Sequence, residues 1–522
     1  RPRRHGARGM DAGGSMIELG NLLDFDFLSA LVAYKDIIEY LAVILLVLFL
    51  VFGLDDLFVD LYYWFGKLRT QPQFPADHVD KLDNFEPRPL AIMIPAWHES
   101  AVILQTLKGM QTFIRYPNYQ IFVGVYPNDP ATREQVEAAA RLHSNIHLAH
   151  VPWDGPTSKA DCLNAIIERV FMFERENSMA LAGVILHDAE DVVHPTELSL
   201  FNAALHSADL IQLPVFSFRR ALSDVIAATY MDEFAEWHTR DLVVRENLTG
   251  IVTCAGVSAC FSRRAIEALR TEVGPVFDPS NLTEDYDIAF RIAKLGMRER
   301  FVRFPNNFTV DISPDLGQPL YVERRLPVAT REFFPDEFRA AYRQRARWLL
   351  GIVFQGWQNY HWQGTAGGRY FLFRDRKAIV TSAIAVLSLF VLANIAILRL
   401  LYERSLSDLD GLRFDLLATP LATALIVANF LLLVNRLVHR AYFTGAIYGF
   451  KHGLLAGPRM LVSNLLNFYA ALRAVEIFVR HLRSGDSIAW DKTSHKVPEQ
   501  LKQLLERPQV SPHSLKQNRL LK

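Results

Sequence analysis

The fold of this chain is decided by the stretch Val184-Ile185-Leu186-His187-Asp188-Ala189-Glu190-Asp191. Its apolar first part, followed at once by polar residues, is typical of a buried strand that ends in a loop. Carboxylates this close together repel one another, so they favour a cation between them, and hard oxygen ligands suit Mg²⁺ or Mn²⁺. The alternative is a solvated acidic loop, or a helix N-terminus where negative charge is favoured in any case.

Strand-like and helix-like segments alternate on both sides of this stretch. Strands are predicted at 90–96, 120–126, 147–151, 184–187 and 210–215, and helices at 101–113, 133–143, 159–174 and 196–205. This alternation predicts an α/β domain with a mostly parallel sheet covered on both faces. Ligands of such sheets bind outside the carboxyl ends of the strands, and the polar segments of this chain fall there.

The turns after the first two strands offer groups suited to a ribose or a base edge. They are 95–100, which includes Pro95 and Glu99, and Asn128-Asp129. Turn residues are polar in any case, so each turn alone gives weak support. The sequence has no glycine-rich dinucleotide fingerprint after the first strand and no P-loop, which disfavours a dehydrogenase or a P-loop enzyme.

A second acidic motif, Thr283-Glu284-Asp285, precedes an apolar helical run at 288–295. One interpretation is a helix cap formed by the threonine and the acids. The other makes Asp285, with Glu284 beside it, the catalytic carboxylate. In that role Asp285 is a general base that takes a proton from an acceptor hydroxyl as the hydroxyl attacks a substrate carbon.

A third motif, Gln344-Arg345-Ala346-Arg347-Trp348, lies on a predicted helix just before a long apolar segment. Arginines in such a place can anchor a membrane interface. Alternatively, the planar fork of Arg347 binds a diphosphate, and Trp348 supplies an apolar face against which a sugar ring stacks. The motif alone leaves both interpretations open.

The composition excludes some classes of protein. Apolar residues make up 50% of the 522 residues, which predicts that part of the chain lies in a bilayer. Lysine plus arginine (56) balances aspartate plus glutamate (56), so the basic footprint of a nucleic-acid-binding protein is missing. The three cysteines, Cys162, Cys254 and Cys260, lack metal-ligand spacing and are predicted to be buried thiols.

Three apolar segments are predicted to cross the membrane. Residues 378–398 and 416–434 carry no charge, and each is long enough to span about 30 Å of hydrocarbon as a helix. The shorter run at 40–54 is the third, with a buried core helix as the alternative. Basic residues flank these segments unevenly, and the positive-inside rule then places the region between the first two spans in the cytoplasm.

An amphipathic stretch near the end of the chain is predicted to lie in the membrane interface, because basic residues recur too often in it for a helix centred in hydrocarbon. A fourth span is the alternative. The predicted organisation is therefore a periplasmic segment (1–36), a first transmembrane helix (37–65), a cytoplasmic domain (66–377), two further transmembrane helices (378–399 and 416–435), interfacial helices (441–483) and a cytoplasmic tail (484–522).

Together the motifs resemble those of the family 2 glycosyltransferases with the GT-A fold, the group that includes cellulose and hyaluronan synthases. The matching residues are Asp129 after the second strand, Asp188 to Asp191 for the D-x-D-like cluster, Thr283 to Asp285 for T-E-D, and Gln344, Arg347 and Trp348 for Q-x-x-R-W. The resemblance implies a Rossmann-like GT-A domain attached to about three transmembrane helices. The interval from Asp285 to Gln344 is longer than the family's, which predicts an insertion at 306–330.

Further blocks, at 90–97, 126–130, 155–164, 186–192 and 490–493, resemble the NfrB-like family of inner-membrane bacteriophage adsorption proteins B. The resemblance implies the following roles: Pro95, Glu99, Asp129, Lys159 and Asp188 bind a nucleotide-sugar; Asp188 and Glu190 bind the metal; Asp285 and Glu284 act in catalysis; and Gln344, Arg345, Arg347 and Trp348 bind the diphosphate and the acceptor. That family often continues into a cyclic-di-GMP-binding module, whereas this sequence ends soon after 490–493. Control by cyclic-di-GMP is therefore doubtful for this chain.

These resemblances imply an inverting glycosyltransferase of the bacterial inner membrane. It is expected to move an N-acetylhexosamine from a UDP-sugar to a glycan or lipid acceptor on the cytoplasmic face, for a cell-surface polysaccharide that an outer-membrane partner helps to export. One alternative is a non-processive lipid glycosyltransferase. The other is a non-catalytic envelope scaffold or phage-adsorption component that retains the fold.

Overall fold

The computed structural model describes residues 12–67, 82, 85–311, 321–404 and 410–485. Within these ranges the chain forms two compact units. The first consists of residues up to Phe58 together with Thr381–Arg436, and the second of Val59–Val380 together with the chain from Leu437 onward.

Eleven strands are described. They are β1 (Leu90–Pro95), β2 (Tyr119–Val125), β3 (Ile146–His150), β4 (Gly183–Leu186), β5 (Leu210–Gln212), β6 (Val215–Ser217), β7 (Ala259–Ser262), β8 (Glu299–Phe301), β9 (Pro305–Asp311), β10 (Tyr321–Pro327) and β11 (Thr330–Glu332). The five strands predicted from the sequence correspond to β1 to β5, with ends that differ by a few residues. Those five predictions are confirmed.

Fourteen α-helices are described. They are α1 (Ala12–Lys67), α2 (Ile103–Phe113), α3 (Pro130–Leu142), α4 (Lys159–Glu176), α5 (Glu197–Ala204), α6 (Val225–Glu236), α7 (Leu242–Thr249), α8 (Arg263–Ala268), α9 (Glu284–Lys294), α10 (Phe338–Leu349), α11 (Gly356–Tyr360), α12 (Ala366–Arg404), α13 (Pro420–Tyr448) and α14 (Phe450–Ser484). The four helices predicted in the soluble region correspond to α2 to α5. A π-helical turn, Leu350–Gln355, joins α10 to α11.

A seven-stranded sheet with the order β3-β2-β1-β4-β7-β5-β8 forms the centre of the second unit. Strands β3, β2, β1 and β4 are parallel to one another, β7 is antiparallel to both its neighbours, and β8 is parallel to β5. The inner strands are nearly continuous apolar runs, because both faces of a covered parallel sheet are buried. The predicted α/β class with a mostly parallel sheet is confirmed.

Each face of the sheet packs against its own set of helices. Leu90, Ile92 and Ile94 of β1 belong to one buried cluster with residues of α2, α3 and α5. Ala91 and Met93 belong to a second cluster with residues of α4, α8 and α9. Alternate residues of one strand therefore bury themselves in different layers, as the two-residue period of a strand requires.

Helix α6 forms buried ion pairs with three other helical segments of the second unit: α10, α14 and the part of α13 from Leu437 onward. Its acids and their arginine partners are Asp232 with Arg459 of α14 (2.6 Å), Glu233 with Arg345 of α10 (2.8 Å) and Glu236 with Arg440 of α13 (2.7 Å). Partly buried charges need such partners, since an unpaired one is strongly destabilising. The ion pairs therefore fix the register of α10, α14 and the end of α13 against α6.

The segment at 306–330, predicted to be an insertion, contains an antiparallel pair of strands, β9 and β10. It is followed by β11, which pairs with β6 in a parallel manner. Because β11 pairs with β6, the residues that follow β10 lie in the central region of the second unit.

The first unit has a buried apolar cluster of its own, in which Ile38 and Leu45 lie with Ile384 and Val391. Its buried polar contacts include Glu39, whose Oε1 accepts a hydrogen bond from Leu417 N (2.9 Å). Helix α1 is thereby tied to the segment that precedes α13.

Four helices are long and apolar enough to cross a membrane, judged by length and composition among the described residues: Phe27–Gly66, Ala366–Glu403, Pro420–Tyr448 and Phe450–Ser484. The predicted spans 37–65 and 378–399 lie within the first two, and 416–435 overlaps the third. The interfacial segment 441–483 corresponds to the end of α13 and most of α14. Its place relative to a membrane stays a prediction, as does the predicted topology.

Candidate active site

One cavity of the second unit gathers the three motifs found in the sequence. Among its lining residues are Pro95, Glu99, Lys159, Asp188, Glu190, Glu284, Asp285, Gln344, Arg347 and Trp348. Pro95 ends β1, and Asp188 follows the end of β4, so the cavity opens at the carboxyl ends of the parallel strands. Residues that are far apart in the sequence, Asp188 and Asp285 above all, therefore lie in one cavity.

A buried histidine, His187, contacts the acidic loop after β4. His187 lies between two carboxylates, with Nδ1 2.9 Å from Asp191 Oδ2 and Nε2 2.9 Å from Glu197 Oε1, and all three side chains are fully buried. Burial alone would lower the pKa of His187, but Glu197 and Asp191 raise it to about 10. Asp191 Oδ2 also accepts a hydrogen bond from Asp188 N (3.0 Å), so Asp191 shapes the loop.

Glu197 joins this loop to two others that line the cavity. Its Oε1 accepts a hydrogen bond from Ser258 Oγ (3.1 Å), and its Oε2 accepts one from Thr330 Oγ1 (3.0 Å). Ser258 has a φ of 53°, which is uncommon for a residue other than glycine. Gly256 and Glu332, close to these two partners in the sequence, line the cavity. One buried carboxylate thus fixes the relative positions of three loops.

Lys159 connects the two acidic motifs. It is the first residue of α4, which Ser158 and Asp161 cap reciprocally. Its Nζ lies 2.6 Å from Asp188 Oδ1 and 3.9 Å from Glu284 Oε1. Burial alone would lower the pKa of Lys159, but these carboxylates raise it above its ordinary value, so the ammonium stays charged between them.

The Thr-Glu-Asp motif forms the start of α9. Thr283 stands at the N-cap position of this helix and the acids lie in its first turn, but the Thr283 side chain makes no capping hydrogen bond. Asp285 Oδ1 accepts a hydrogen bond from Tyr286 N (2.8 Å). Burial raises the pKa of Asp285, which Lys159 opposes. Burial also raises the pKa of Glu284 to about 7; Lys159 lowers it and Asp285 raises it.

Gly256 lies against Asp285. Its φ is +80°, and a Cβ on it would come within 2.8 Å of Asp285 Oδ2. Both the backbone conformation and the close approach therefore require glycine at this position. The 255–258 loop and the start of α9 are in direct contact across the cavity wall.

Trp348 is held by a cluster of aromatic rings at the end of α10. Its ring centroid lies 6.0 Å from that of Tyr230, 6.2 Å from Phe234 and 6.4 Å from Phe334. Tyr230 and Phe334 are themselves stacked at 4.6 Å. The indole is therefore half-buried and fixed while it contributes to the cavity wall.

Two residues predicted for the site are not among the described residues that line the cavity. Arg345 donates hydrogen bonds to Glu233 (2.8 Å), Asn467 (2.7 Å) and Thr229 (2.8 Å), which directs it toward α6 and α14. Asp129 caps α3 by accepting a hydrogen bond from Thr132 N (3.3 Å) and accepts another from His98 N (2.7 Å). Both side chains make structural contacts here.

The cavity also has lining residues to which the sequence assigned no role. Those inside the recognised motifs and blocks are Trp97, Tyr126, Ser158, Cys162, Ala189 and Thr283, and those outside them are Ala255, Gly256, Asn281, Leu282, Glu332, Phe333 and Phe334. Glu332 to Phe334 lie at the end of β11 and directly after it. The available signal for that segment was an acid beside two aromatic residues shortly after the predicted insertion.

The side chains of the acidic loop fit a divalent ion only in part. Asp188 and Glu190 supply hard oxygen ligands to the cavity. No group of three or more histidine, cysteine or acidic side chains in the described part of the chain could hold a metal ion. Mg²⁺ typically uses one or two carboxylates together with waters and substrate phosphates, so this pair suits an ion that is shared with a diphosphate.

Residues 183–402 match the family model described as glycosyl transferase family group 2. The matched region begins at β4 and includes the acidic loop, the Thr-Glu-Asp motif and the Gln-x-x-Arg-Trp motif. The three motifs that meet in the cavity thus all lie within the matched region.

Two curated relatives are bacteriophage adsorption protein B of Escherichia coli strain K12 and bacteriophage N4 adsorption protein B of Escherichia coli O157:H7. Each is 41% identical to this chain over 471 residues, which cover 88% of this chain and 62% of the relative. The chain therefore spans less than two thirds of the length of these relatives.

Two solved structures also resemble the chain. The mannosyltransferase PcManGT from Pyrobaculum calidifontis, in complex with GDP-Man and Mn²⁺, is 16% identical with a TM-score of 0.44, covering 82% of this chain and 99% of that chain. Glucosyl-3-phosphoglycerate synthase from Mycobacterium tuberculosis is 12% identical with a TM-score of 0.27, covering 45% of this chain and 75% of that chain.

The two arginines of α10 are expected to differ in their effect on stability. Arg345→Met leaves Glu233 without its partner in a partly buried network, so the free energy of unfolding should fall by about 3 kcal/mol. Arg347→Met removes a cavity-lining charge and should cost less than about 1 kcal/mol. Chemical unfolding of both variants in detergent, followed by tryptophan fluorescence, measures the difference. Equal losses would contradict the opposite orientations of the two side chains.

Proposed function

We propose that the chain is an inverting glycosyltransferase of the bacterial inner membrane, which moves an N-acetylhexosamine from a UDP-sugar to a glycan or lipid acceptor. The observation that carries the proposal is the convergence of Asp188 and Asp285 in one cavity, linked by Lys159 and bordered by Trp348. A transferase needs these four elements near one another: a place for a diphosphate, a general base, a cation and a surface for a sugar ring.

Asp285 is the proposed general base. In a single displacement it takes the proton of the acceptor hydroxyl while the hydroxyl oxygen bonds to the anomeric carbon. The bond from that carbon to the diphosphate oxygen breaks, and UDP leaves with the electron pair. The Lys159 ammonium favours an ionised Asp285, which a base requires, against the opposing effect of burial.

The diphosphate is proposed to lie between Lys159 and Arg347, the two basic residues among the described lining of the cavity. The guanidinium fork suits phosphate oxygens geometrically. Asp188 and Glu190 would hold a divalent ion, Mg²⁺ or Mn²⁺, whose chemistry when bound is to stabilise the negative charge of the departing diphosphate. Gln344 is buried at the same wall and is proposed to orient the acceptor.

The acceptor sugar is proposed to stack on Trp348. The aromatic rings around this indole fix its orientation, and a fixed ring loses little conformational freedom when a sugar binds. Phe333 and Phe334 extend the apolar wall on the same cavity. This combination of an aromatic wall and a carboxylate suits a polyhydroxylated acceptor, which has apolar ring faces and polar edges.

The proposed location is the inner membrane, with the catalytic domain in the cytoplasm and an outer-membrane partner for export of the polysaccharide. Four described helices have the length and apolar composition of membrane spans. The basic residues that flank the predicted spans favour the cytoplasmic side for the domain between them. A cytoplasmic domain would have direct access to nucleotide-sugars.

A second candidate function is a non-catalytic role in phage adsorption. The observation that favours it is the 41% identity to proteins named for bacteriophage adsorption. An intact cavity with a charged lysine between two acidic motifs favours catalysis instead, because a scaffold has no use for costly buried charges at this position.

Purified chain incubated with a panel of UDP- and GDP-sugars tests the proposed function. We expect UDP release, with a UDP-N-acetylhexosamine as the best donor, and loss of the release in excess EDTA with recovery on added Mg²⁺ or Mn²⁺. Absence of nucleotide release from every donor, with a range of lipid and glycan acceptors, would contradict the proposal. Unchanged turnover in EDTA would remove only the metal from it.

Asp285→Asn should lower turnover by roughly 10²-fold or more, because an amide cannot accept the proton. The matched control is Asp287→Asn on the same helix. Asp287 is buried outside the cavity, where it accepts a hydrogen bond from Tyr360, and an amide oxygen can still accept it. Turnover is followed as UDP release. Wild-type rates in Asp285→Asn, or equal losses in the two variants, would discard Asp285 as the base.

Lys159→Met should increase the affinity of the nucleotide-free protein for Mn²⁺ by roughly tenfold or more, because an ammonium beside Asp188 repels a second cation. Mn²⁺ electron paramagnetic resonance measures the free ion directly. Lys108→Met, a substitution of an exposed lysine on α2, is the control and should leave the affinity unchanged. Weaker Mn²⁺ binding in Lys159→Met would contradict the competition between the lysine and the ion.

A further inference from the structure

The turn that follows the Gln-x-x-Arg-Trp motif packs against the loop that precedes the Thr-Glu-Asp motif. This turn is the π-helical segment Leu350–Gln355. Gln355 holds the loop with both atoms of its amide: Oε1 accepts a hydrogen bond from Leu282 N (2.8 Å), and Nε2 donates one to Ser280 O (2.8 Å). Short π-helical segments inside helices often occur at functional sites. Here the segment connects two of the three motifs.

Gly351 is the closest point of this contact. A Cβ at Gly351 would lie 2.2 Å from Oγ1 of Thr283, 2.5 Å from its Cγ2 and 2.8 Å from its Cβ. All three distances are far below van der Waals contact. A change of rotamer at Thr283 cannot relieve them, because the Cβ of Thr283 is itself too close. Any side chain at 351 therefore requires the backbone of the turn or of the loop to move.

Thr283 transmits such a movement to Asp285. It directly precedes α9, and its carbonyl accepts the hydrogen bond from Asp287 N (3.1 Å) in the first turn of that helix. Asp285 lies within that turn. On its other side, Asp285 Oδ2 is so close to Gly256 that even a methyl group there would come within 2.8 Å. The carboxylate thus lies between two closely packed segments and has little room to adjust.

We propose that Gly351 is a positioning residue of the active site. Because it lacks a side chain, the turn after Trp348 can contact Thr283 directly, and this contact sets the position of Asp285 relative to the acceptor. The inference rests on the proposed function, since it assumes that Asp285 is the base. It adds that the spacing between the base and the acceptor wall at Trp348 is fixed by one glycine.

Gly351→Ala and Gly356→Ala form the matched pair that tests the inference. An added Cβ at Gly356 would have its nearest neighbours at 3.5 Å, which is ordinary contact. We expect kcat to fall at least roughly tenfold in Gly351→Ala, with the KM for the donor within about twofold of the wild-type value, because misplacement by about 1 Å can cost up to 10²-fold in rate. Gly356→Ala should retain both parameters. Alanine has a higher helix propensity than glycine, so helix propensity alone predicts no loss of stability in either variant.

A second substitution separates displacement of the base from general damage. Thr283→Ala removes Oγ1 and Cγ2, and with them two of the three short contacts. In the Gly351→Ala background it should restore part of kcat, so that the double variant is more active than Gly351→Ala alone. The same pair should show coupling in thermal unfolding, which needs no substrate.

The outcomes separate this inference from the proposed function. Similar kcat values for the two glycine variants, or a rise in KM with unchanged kcat, would overturn the positioning role. A wild-type protein without turnover on any donor would overturn the proposed function. In that case the coupling in thermal unfolding decides the inference: additive effects of Gly351→Ala and Thr283→Ala overturn the contact, and non-additive effects support it.

Discussion

The cavity depends on one buried contact, the imidazole of His187 held between the carboxylates of Asp191 and Glu197. Removing charged groups from water is costly, so two acids and an imidazole can be fully buried only because each compensates another. Glu197 also accepts hydrogen bonds from Ser258 and Thr330. The acidic loop, the glycine-containing loop and the segment after β11 are therefore fixed by the same group, and none of them can shift without leaving a buried polar atom unsatisfied.

The two faces of α10 make different contacts. Arg345 and Arg347 are two residues apart, and side chains at that spacing lie on different faces of a helix. Arg345 pairs with Glu233 of α6, next to the acids Asp232 and Glu236 that pair with arginines of α14 and α13, while Arg347 lines the cavity. The helix is therefore held on one face by ion pairs and presents a charged and aromatic surface on the other. Such support is needed for Trp348, because a binding surface is useful only if its orientation is fixed.

Much of the fold could be predicted from the sequence, since long apolar runs alternating with amphipathic helices specify a covered parallel sheet and strand ends specify the cavity. The orientation of Arg345 could not be predicted, because it depends on which face of α10 packs against α6.

Other residues of the site were also beyond the reach of the sequence. Asp129 matched a family motif but caps α3 here, and short polar residues after strands serve either as helix caps or as ligand-binding groups. Glu332 and Phe334 were missed because only the pairing of β11 with β6, more than a hundred residues away in sequence, brings them to the cavity. The closeness of Gly351 to Thr283 likewise depends on packing between residues that are far apart in the sequence.

The charge of the cavity constrains how a donor can bind. Its described lining includes the acids Glu99, Asp188, Glu190, Glu284, Asp285 and Glu332, against the bases Lys159 and Arg347. Burial, with repulsion from Asp191 and Asp188, raises the pKa of Glu332 well above its usual range and so favours its neutral form. The other acids still outnumber the two bases. A nucleoside diphosphate is itself an anion and would be repelled from such a cavity unless positive charge accompanied it. Lys159 is paired with Asp188, with its Nζ 2.6 Å from Asp188 Oδ1. If the phosphates of the donor bound Lys159, its ion pair with Asp188 would break. The carboxylate of Asp188 would then be available to a cation that binds together with the donor rather than before it.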